Sequence, residues 1–359
     1  MKLMSNVAIL IPVLNPDEKF VSYIGALADY GFKNIIVVND GSDESYEPFF
    51  DKARTHPECT VLSHEVNRGK GRWLKTGLAY FKENLSHLDG IVTGDADGQH
   101  TLKDTAAIAE IIQTRNDSLV LGARDFNMPH VPGRSKFGNK ITSLVFKLLY
   151  GQTISDTQTG LRGIPSGLVD VFLATDGERF DYETNMLVEC ADRGIPVLEQ
   201  PIETVYIEEN QSSHFRPFQD SVKVYWLLCR NFIKYLISGG LSFVINIVVE
   251  SMVGKAFNNK GFLSNSTSTA SGIIISSVFN FLFNKYVVFN KNADMGKSAL
   301  RFVTVVTCNW AITNVVVWLL RLIFETSPGS LMSSVLYAIV QIVMMVCFTY
   351  PLSRKWVFR

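Results

Sequence analysis

The chain has 359 residues, and its 34 Lys and Arg are matched by 34 Asp and Glu, so no global positive field argues for a nucleic-acid partner. Its five cysteines, Cys59, Cys190, Cys229, Cys308 and Cys347, show no Cys-x-x-Cys spacing, which argues against a disulfide framework or a zinc site. The length suits about two or three domains, and the sequence divides into a charged, α/β-like part, 1–225, and an apolar part, 226–359.

Residues 7–11 are a continuous apolar run, as expected of a strand buried on both faces. The run is too short for a signal peptide and meets Pro12 at once, so the first domain is expected in the cytoplasm. Pro12-Val13-Leu14-Asn15-Pro16 is expected as loop. Residues 18–30 have helical spacing with Gly31 as the stop. A second buried strand over 34–38 ends in Asn39-Asp40-Gly41-Ser42. Strand–helix–strand order predicts a parallel pair with a right-handed crossover, and ligands of such sheets bind beyond the carboxyl ends of the strands. Pro12, Asn15, Asp40, Asp95 and Asp97 all fall on that edge. Asp40 is a candidate acceptor for a base N–H or a ribose hydroxyl, although Asp-Gly-Ser also forms turns for purely local reasons.

A third short strand over 60–63 leads to Asn67-Arg68-Gly69-Lys70-Gly71 and a helix over 73–84. Gly-Lys-Gly at a helix start can approach a phosphate through backbone N–H groups. It is not a Walker A loop, since no Gly stands six residues before Lys70 and no Ser or Thr follows it, which disfavours an ATPase. Gly90-Ile91-Val92 then reads as the end of a buried strand that delivers Thr93-Gly94-Asp95-Ala96-Asp97-Gly98-Gln99-His100. Carboxylates are the preferred ligands of hard divalent cations, and Mg²⁺ commonly shares its coordination with substrate phosphates. An Asp-x-Asp at a strand end therefore suits a metal that holds a diphosphate. A solvated acidic turn is the competing reading. Gln99 and His100 add ligand capacity.

Taken in order, Ile11-Pro12, Val38-Asn39-Asp40-Gly41-Ser42, Asn67-x-Gly69-Lys70-Gly71 and residues 93–100 resemble family 2 glycosyltransferases, in the branch of dolichol-phosphate mannose synthase and bacterial polyprenyl-phosphate glycosyltransferases. Gly122-Ala123-Arg124-Asp125-Phe126, Val131-Pro132-Gly133-Arg134-Ser135, Asp156-Thr157-Gln158-Thr159-Gly160, Tyr182-Glu183-Thr184 and Asn210-Gln211-Ser212-Ser213-His214-Phe215 continue the match. The resemblance implies a GT-A α/β catalytic domain that takes a nucleotide-sugar and Mg²⁺ or Mn²⁺. It implies that Asp95, Asp97 and Gln99 hold the metal, and that Ala96 and Lys70 lie against substrate. Asp40 and the loop of Pro12, Leu14 and Asn15 would hold the nucleoside, while Arg124 and Arg134 meet phosphate with Asp97 in the catalytic group. A guanidinium fork independently matches phosphate oxygens. Two positions depart from the family pattern: Asn39 replaces the first Asp of Asp-Asp-Gly-Ser, and Pro16 replaces an early Glu, with acids at Asp17 and Glu18 instead.

Over 136–150, Phe137, Ile141, Leu144, Val145, Leu148 and Leu149 fall near one helical face, with Lys136, Lys140 and Lys147 around them. Such a helix can lie in a membrane surface, or it can face a core. Residues 220–235, with Trp226, Arg230 and Lys234, have similar character; together the two segments frame a route for a lipid phosphate. Four apolar stretches follow, over 235–253, 269–289, 302–324 and 331–352, each close to the roughly 20 residues that cross a hydrocarbon core. The basic residues Arg230, Lys234, Lys285, Lys291, Lys297, Arg301, Arg354, Lys355 and Arg359 lie on one side, with Lys255 and Lys260 opposed, which orients both termini and the first domain to the cytoplasm. Lys234-Tyr235 and Arg301-Phe302 open spans one and three; Asn284-Lys285-Tyr286-Val287 and Arg354-Lys355-Trp356-Val357 close spans two and four. This two-helix repeat resembles the GtrA-like membrane family, which implies a role in moving polyprenyl-phosphate sugars. Asn246, Glu250, Asn280, Asn309, Asn314 and Gln341 sit within or near the apolar spans, where polar groups line pathways or bond between helices.

The whole implies an inverting transfer of a hexose from UDP-glucose or UDP-N-acetylglucosamine to polyprenyl phosphate at the plasma membrane. The partners are a nucleotide-sugar, the lipid phosphate and the bilayer; a homo-oligomer is compatible with it. A processive polysaccharide synthase would carry Gln-x-x-Arg-Trp, which this chain lacks. A carrier that only binds the sugar nucleotide is the other alternative.

Overall fold

The computed structural model describes residues 4–95, 100–129, 131–203, 217–257, 262–289, 292–327 and 329–359, without the side chains of 134, 217–221 and 262–265. The chain forms two compact units, Met1–Leu228 and Cys229–Arg359.

The first unit is built on a seven-stranded sheet in the order β3-β2-β1-β4-β6-β5-β7. Its strands are β1 (Val7–Val13), β2 (Asn34–Asn39), β3 (Cys59–Ser63), β4 (Gly90–Thr93), β5 (Leu119–Arg124), β6 (Arg162–Pro165) and β7 (Val197–Ile202). β1, β2, β3 and β4 run parallel, whereas β6 is antiparallel to both β4 and β5. The intervening helices are α1 (Glu18–Tyr30), α2 (Glu47–Arg54), α3 (Lys70–Asn84), α4 (Leu102–Ile112), α5 (Gly133–Tyr150), α6 (Val169–Leu173) and α7 (Asp181–Arg193). The apolar runs of β1 and β2 form the core with Phe20, Ile24 and Leu27 of α1 and Ile108 and Ile112 of α4.

β1 continues through Pro12 and Val13, two residues beyond the expected loop boundary. The reason is local. Gly94 N–H donates to Leu10 O across the β1–β4 edge, and two residues on Pro12 faces the same side, where the β4 pairing has ended. A proline there forfeits no ladder bond. Asp17 caps α1 by accepting from Lys19 and Phe20 N–H, and Glu18 pairs with Lys52 at 2.7 Å.

α5 buries Asn139, Thr142, Phe146, Leu149 and Tyr150. Phe137, Leu144 and Leu148 stay exposed, as do Lys136, Lys140 and Lys147 on the same helix. The exposed face is therefore amphipathic. α8 (Pro217–Ala256) begins beside it: Tyr225 OH lies 3.2 Å from Thr142 Oγ1, and Tyr150 OH donates to Leu228 O at 2.9 Å. Val222 and Trp226 of α8 are exposed as well. At 40 residues, α8 is about 60 Å long, roughly twice a hydrocarbon core.

The second unit contains the rest of α8, then α9 (Phe262–Phe283), α10 (Met295–Ile323) and α11 (Leu331–Met344). Four segments, Val222–Ala256, Ser266–Val288, Met295–Ile323 and Leu331–Val357, are long and apolar enough to cross a membrane. The repeat seen in the sequence has a structural counterpart, shifted by one residue. Asn284–Val288 and Ser353–Val357 are both π-helical turns, and each is followed by a phenylalanine. Lys285 thus corresponds to Arg354, and Phe289 stacks on Phe358 with centroids 5.2 Å apart. Tyr350, fully buried, joins this end by packing against Phe232, Tyr235 and Phe289.

Of the embedded polar residues named above, Asn280 and Glu250 bond between helices, whereas Asn314 and Gln341 bond within their own helices. Asn280 Nδ2 donates to Ser242 Oγ at 3.0 Å, Asn284 Nδ2 donates to Asn280 Oδ1 at 2.9 Å, and Ser238 Oγ donates to Asn284 Oδ1 at 3.2 Å. Glu250 accepts from Thr269 Oγ1 at 2.8 Å. Such bonds hold α8 to α9 where water cannot compete.

Candidate active site

The carboxyl ends of β1, β2 and β4 bring Pro12, Asp40 and Asp95 to one edge of the sheet, because the three strands are parallel and in register. The loops there are tied together. Asn15, at φ 53, donates its N–H to Ser42 Oγ at 2.8 Å, and Ser42 N–H donates to Asn39 Oδ1 at 2.9 Å. Asn39 thus closes the β2 turn with a neutral oxygen. Leu14 is half-buried and Asn15 exposed on this rim.

Asp40 is buried, and its acceptor sites are largely filled. Oδ1 lies 2.8 Å from His64 Nδ1 and accepts Arg68 N–H at 2.9 Å, while Oδ2 accepts Gly69 N–H at 2.9 Å. His64 in turn reaches Thr76 Oγ1 of α3 at 2.9 Å. Asp40 thereby shapes the 67–71 loop and the start of α3. Gly71 is required there for packing: a Cβ would stand 2.6 Å from Tyr182 Cβ and 2.7 Å from the Glu178 carbonyl carbon, so α3 could not sit this close to α7.

Lys70, the first residue of α3, carries its ammonium into the centre of the site. Nζ lies 3.2 Å from Asp95 Oδ1 and 3.2 Å from Glu183 Oε1 of α7. Burial pulls the Lys70 pKa down, but the two carboxylates outweigh it and raise it above its ordinary value. Burial likewise pushes Asp95 up. The Lys70 charge and the adjacent His100, whose Nε2 is 3.6 Å from Oδ2, reverse this and hold the Asp95 carboxyl well below the usual range. Asp95 is therefore an ionised carboxylate that keeps about a third of its side-chain surface exposed (31%), as a metal or phosphate-facing group must. A hard cation fits this oxygen donor. Of the other expected ligands, Asp97 and Gln99 lie outside the described residues, as does Ala96. Among the described residues no three His, Cys, Asp or Glu side chains converge.

The floor under Asp95 comes from the segment before β6. Thr93 Oγ1 donates to Gly160 O at 2.7 Å. A Cβ at Gly160 would stand 2.3 Å from Asp95 Oδ2 and 3.1 Å from Lys70 Nζ. Asp156, fully buried, receives Arg124 as a fork: Nε to Oδ2 at 2.7 Å and Nη2 to Oδ1 at 3.1 Å. Arg124 thus anchors the 156–160 segment to the end of β5. Arg162, with 1% exposure, donates to Thr159 O at 2.9 Å and Glu183 O at 2.8 Å, joining that segment to α7. The backbone of Arg134 lies at the start of α5, and residues 210–215 lie outside the described residues.

Sequence reasoning gave no role to Glu183, Asp156, Arg162 or His64. Glu183 and Asp156 belong to motifs quoted above, but their partners, Lys70 and Arg124, are distant in sequence and carry no pairing signal.

The family model "Glycosyl transferase family 2" matches residues 9–164, and "GtrA/DPMS, transmembrane domain" matches residues 234–358. The chain is 28% identical over 217 residues to the UDP-N-acetylglucosamine–dolichyl-phosphate N-acetylglucosaminyltransferase of Methanococcus voltae, covering 56% of this chain and 86% of that protein. It is 26% identical over 227 residues to glycosyltransferase AglJ of Haloferax volcanii, covering 62% of this chain and 71% of that protein. A solved structure, glucosyl-3-phosphoglycerate synthase from Mycobacterium tuberculosis with Mn²⁺, UDP and glucosyl-3-phosphoglycerate, is 16% identical with a TM-score of 0.48, covering 62% of this chain and 78% of that one. The motif-bearing α/β sheet and the four apolar helices after it are thus a family 2 glycosyltransferase domain joined to a GtrA/DPMS transmembrane domain.

Proposed function

We propose that the protein transfers a sugar from a UDP-sugar to polyprenyl phosphate at the cytoplasmic face of the plasma membrane, inverting the anomeric carbon. The observation that carries this reading is the Asp95–Lys70–Glu183 cluster at the open sheet edge, in a chain that continues into four apolar helices. UDP-N-acetylglucosamine stands ahead of UDP-glucose because the name of the Methanococcus relative specifies that donor and a dolichyl-phosphate acceptor. The exposed Phe137, Leu144, Leu148, Val222 and Trp226, with the lysines of α5, would lie in the headgroup region, where a lipid phosphate presents itself.

The nucleophile is a phosphate oxygen already ionised near neutral pH, so no protein base is needed to remove a proton. That oxygen bonds to the anomeric carbon as the bond from this carbon to the diphosphate oxygen breaks, and the electron pair leaves with UDP. Lys70 is placed to stabilise charge growing on the diphosphate, and Glu183 keeps it there. Asp95 with Asp97 and Gln99 would hold Mg²⁺ or Mn²⁺, which when bound supplies further positive charge to the leaving group. Arg134 is assigned to phosphate. Arg124 acts through the floor it shares with Asp156. The membrane domain would then pass the lipid-linked product across the bilayer.

The test incubates purified protein with Mg²⁺ or Mn²⁺, polyprenyl phosphate and a panel of labelled nucleotide-sugars. Label is expected in the organic phase, and it should disappear on chelation and in Asp97→Ala. Labelled polymer would instead favour a processive synthase, and donor binding without product a carrier. In the same assay Gly160→Ala is expected to lower turnover about 100-fold, since the new methyl must displace the Asp95 carboxylate and misplacement near 1 Å costs that much. Wild-type turnover in that variant would show that the Gly160 floor does not position Asp95.

A further inference from the structure

Lys70 hangs between two carboxylates and is locked onto neither. Its Nζ stands 3.2 Å from Asp95 Oδ1, 3.4 Å from Asp95 Oδ2 and 3.2 Å from Glu183 Oε1. A charge-assisted N–H···O bond closes to about 2.7–2.9 Å, as Arg124 does on Asp156 at 2.7 Å. The two sides of Lys70 are also unequal. Glu183 is the fixed side: its side chain is 9% exposed, and Arg162 Nη1 donates to its carbonyl at 2.8 Å. Asp95 is the open side, where a ligand has access. The indole of Trp73 flanks the ammonium, with Nζ 5.9 Å from the ring centroid, and the missing Cβ of Gly160 keeps the space beside Nζ clear. On its flexible four-carbon stem, the ammonium can therefore swing off Asp95 without leaving Glu183.

The charges decide when it does so. A divalent cation at Asp95 needs the oxygens that Lys70 faces, and two positive centres a few ångströms apart in a half-dry site repel strongly. His100, the other basic side chain beside Asp95, is buried with Nε2 3.6 Å away, so Lys70 is the nearer charge. Metal arriving by itself must drive Lys70 off with nothing to receive it. A diphosphate changes the balance. Its oxygens offer the ammonium a new partner, and the same group shares the metal.

We propose that Lys70 is a displaceable counter-ion that couples the metal to the nucleotide. It holds Asp95 until a nucleoside diphosphate arrives, then pivots on Glu183 to the diphosphate oxygens and hands Asp95 to the divalent cation. This rests on the reading of Asp95 as the metal-facing carboxylate of the transfer reaction, and adds an order of assembly to it. By linkage, metal and diphosphate tighten each other by the same factor. Part of that factor belongs to Lys70 rather than to the contact between the two ligands. Departure of UDP returns Lys70 to Asp95 and loosens the metal.

The experiment titrates the full chain in lipid nanodiscs with Mn²⁺, with and without UDP, and follows the loss of the free-ion electron paramagnetic resonance signal. A protein-free titration supplies the association of Mn²⁺ with UDP itself. Wild type is compared with Lys70→Met, Lys70→Gln, and Glu183→Gln combined with each. Lys70→Gln keeps an amide donor for the carboxylates, so it serves where the methionine variant does not fold. Without UDP, the Lys70 variants should bind Mn²⁺ about tenfold more tightly than wild type, and the tightening by UDP should be about tenfold smaller, a coupling of the usual size. Adding Glu183→Gln to a Lys70 variant should leave the Mn²⁺ affinity unchanged, because Glu183 acts through Lys70. Equal tightening by UDP in wild type and the Lys70 variants overturns the proposal, since metal and diphosphate would then assemble without the handover. Weaker Mn²⁺ binding on adding Glu183→Gln also overturns it, and makes Glu183 a ligand instead of a tether. Mn²⁺ binding to no form, with or without UDP, removes the metal from the reaction and the proposal with it. These affinities need no turnover, so absence of sugar-lipid product in the transfer assay sinks the enzymatic reading separately.

Discussion

Lys70→Met is expected to lower kcat/KM for sugar transfer at least about 100-fold, the usual effect of removing one group that stabilises a developing oxyanion. It should also destabilise the protein. Lys70 is the shared cation of Asp95 and Glu183, and without it two carboxylates face each other in a mostly dry site. Breaking a buried pair costs about 3–5 kcal/mol, and the partial exposure of Asp95 reduces this to about 2–3 kcal/mol. The pH window follows from the directions of the shifts. Asp95 is depressed in the folded state, so its contribution is present above the unfolded carboxyl value, about 4, and is lost as the pH falls. Lys70 is raised, so its contribution is present below about 10.4 and is lost as the pH rises through the higher folded value. The melting-temperature gap between wild type and Lys70→Met should therefore be widest between about pH 5 and 9 and narrow toward pH 3. A gap independent of pH would mean that Lys70 contributes packing rather than charge. Glu183→Gln separates its two duties: it keeps the side-chain shape, so the KM for the nucleotide-sugar should rise more than the fold is weakened.

The second large effect is expected at Asp156, which touches no substrate in the proposed reaction. Asp156→Ala leaves the Arg124 guanidinium without its fork and removes an acceptor of Gln158 N–H. The cost should be about 3–5 kcal/mol, because the ion pair of a fully buried carboxylate is broken. Activity should fall as well, through the 156–160 segment that backs Asp95. Thermal melts of Arg124→Ala, Asp156→Ala and the double variant test this as a cycle. The double variant should be less destabilised than the sum of the singles, with a coupling of about 1–3 kcal/mol. Additive losses would show that Arg124 and Asp156 act separately, and would return Arg124 to a direct role on phosphate.

Much of the architecture could be read from local pattern. Continuous apolar runs at β1 and β2, the Asp17-to-Gly31 helix and the four long apolar spans are short-range signals, and burial follows from them directly. The ordered motifs point to the family without any tertiary contact. Strand ends are legible only where a breaker acts alone: Pro12 reads as a stop, yet its missing N–H falls where β4 no longer pairs. Periodicity places the apolar residues of α5 on one face, but the tertiary fold keeps Phe137, Leu144 and Leu148 outside while Phe146 and Leu149 turn inward.

The sequence by itself determined what chemistry was available: two carboxylates at a strand end, a lysine at a helix start, arginines, and apolar helices to hold the whole at a membrane. The tertiary structure decided which of these act on one another. It brought Glu183 to Lys70 and Asp156 to Arg124, and saturated Asp40 with the loop it shapes. It also left Asn246 Oδ1 and Asn309 Oδ1 buried without a hydrogen-bond partner among the described residues, while Asn280 bonds across to Ser242. The reason is that burial and patterning are properties of near neighbours in the chain, whereas the pairing of charges and the sharing of hydrogen bonds depend on where distant segments cross.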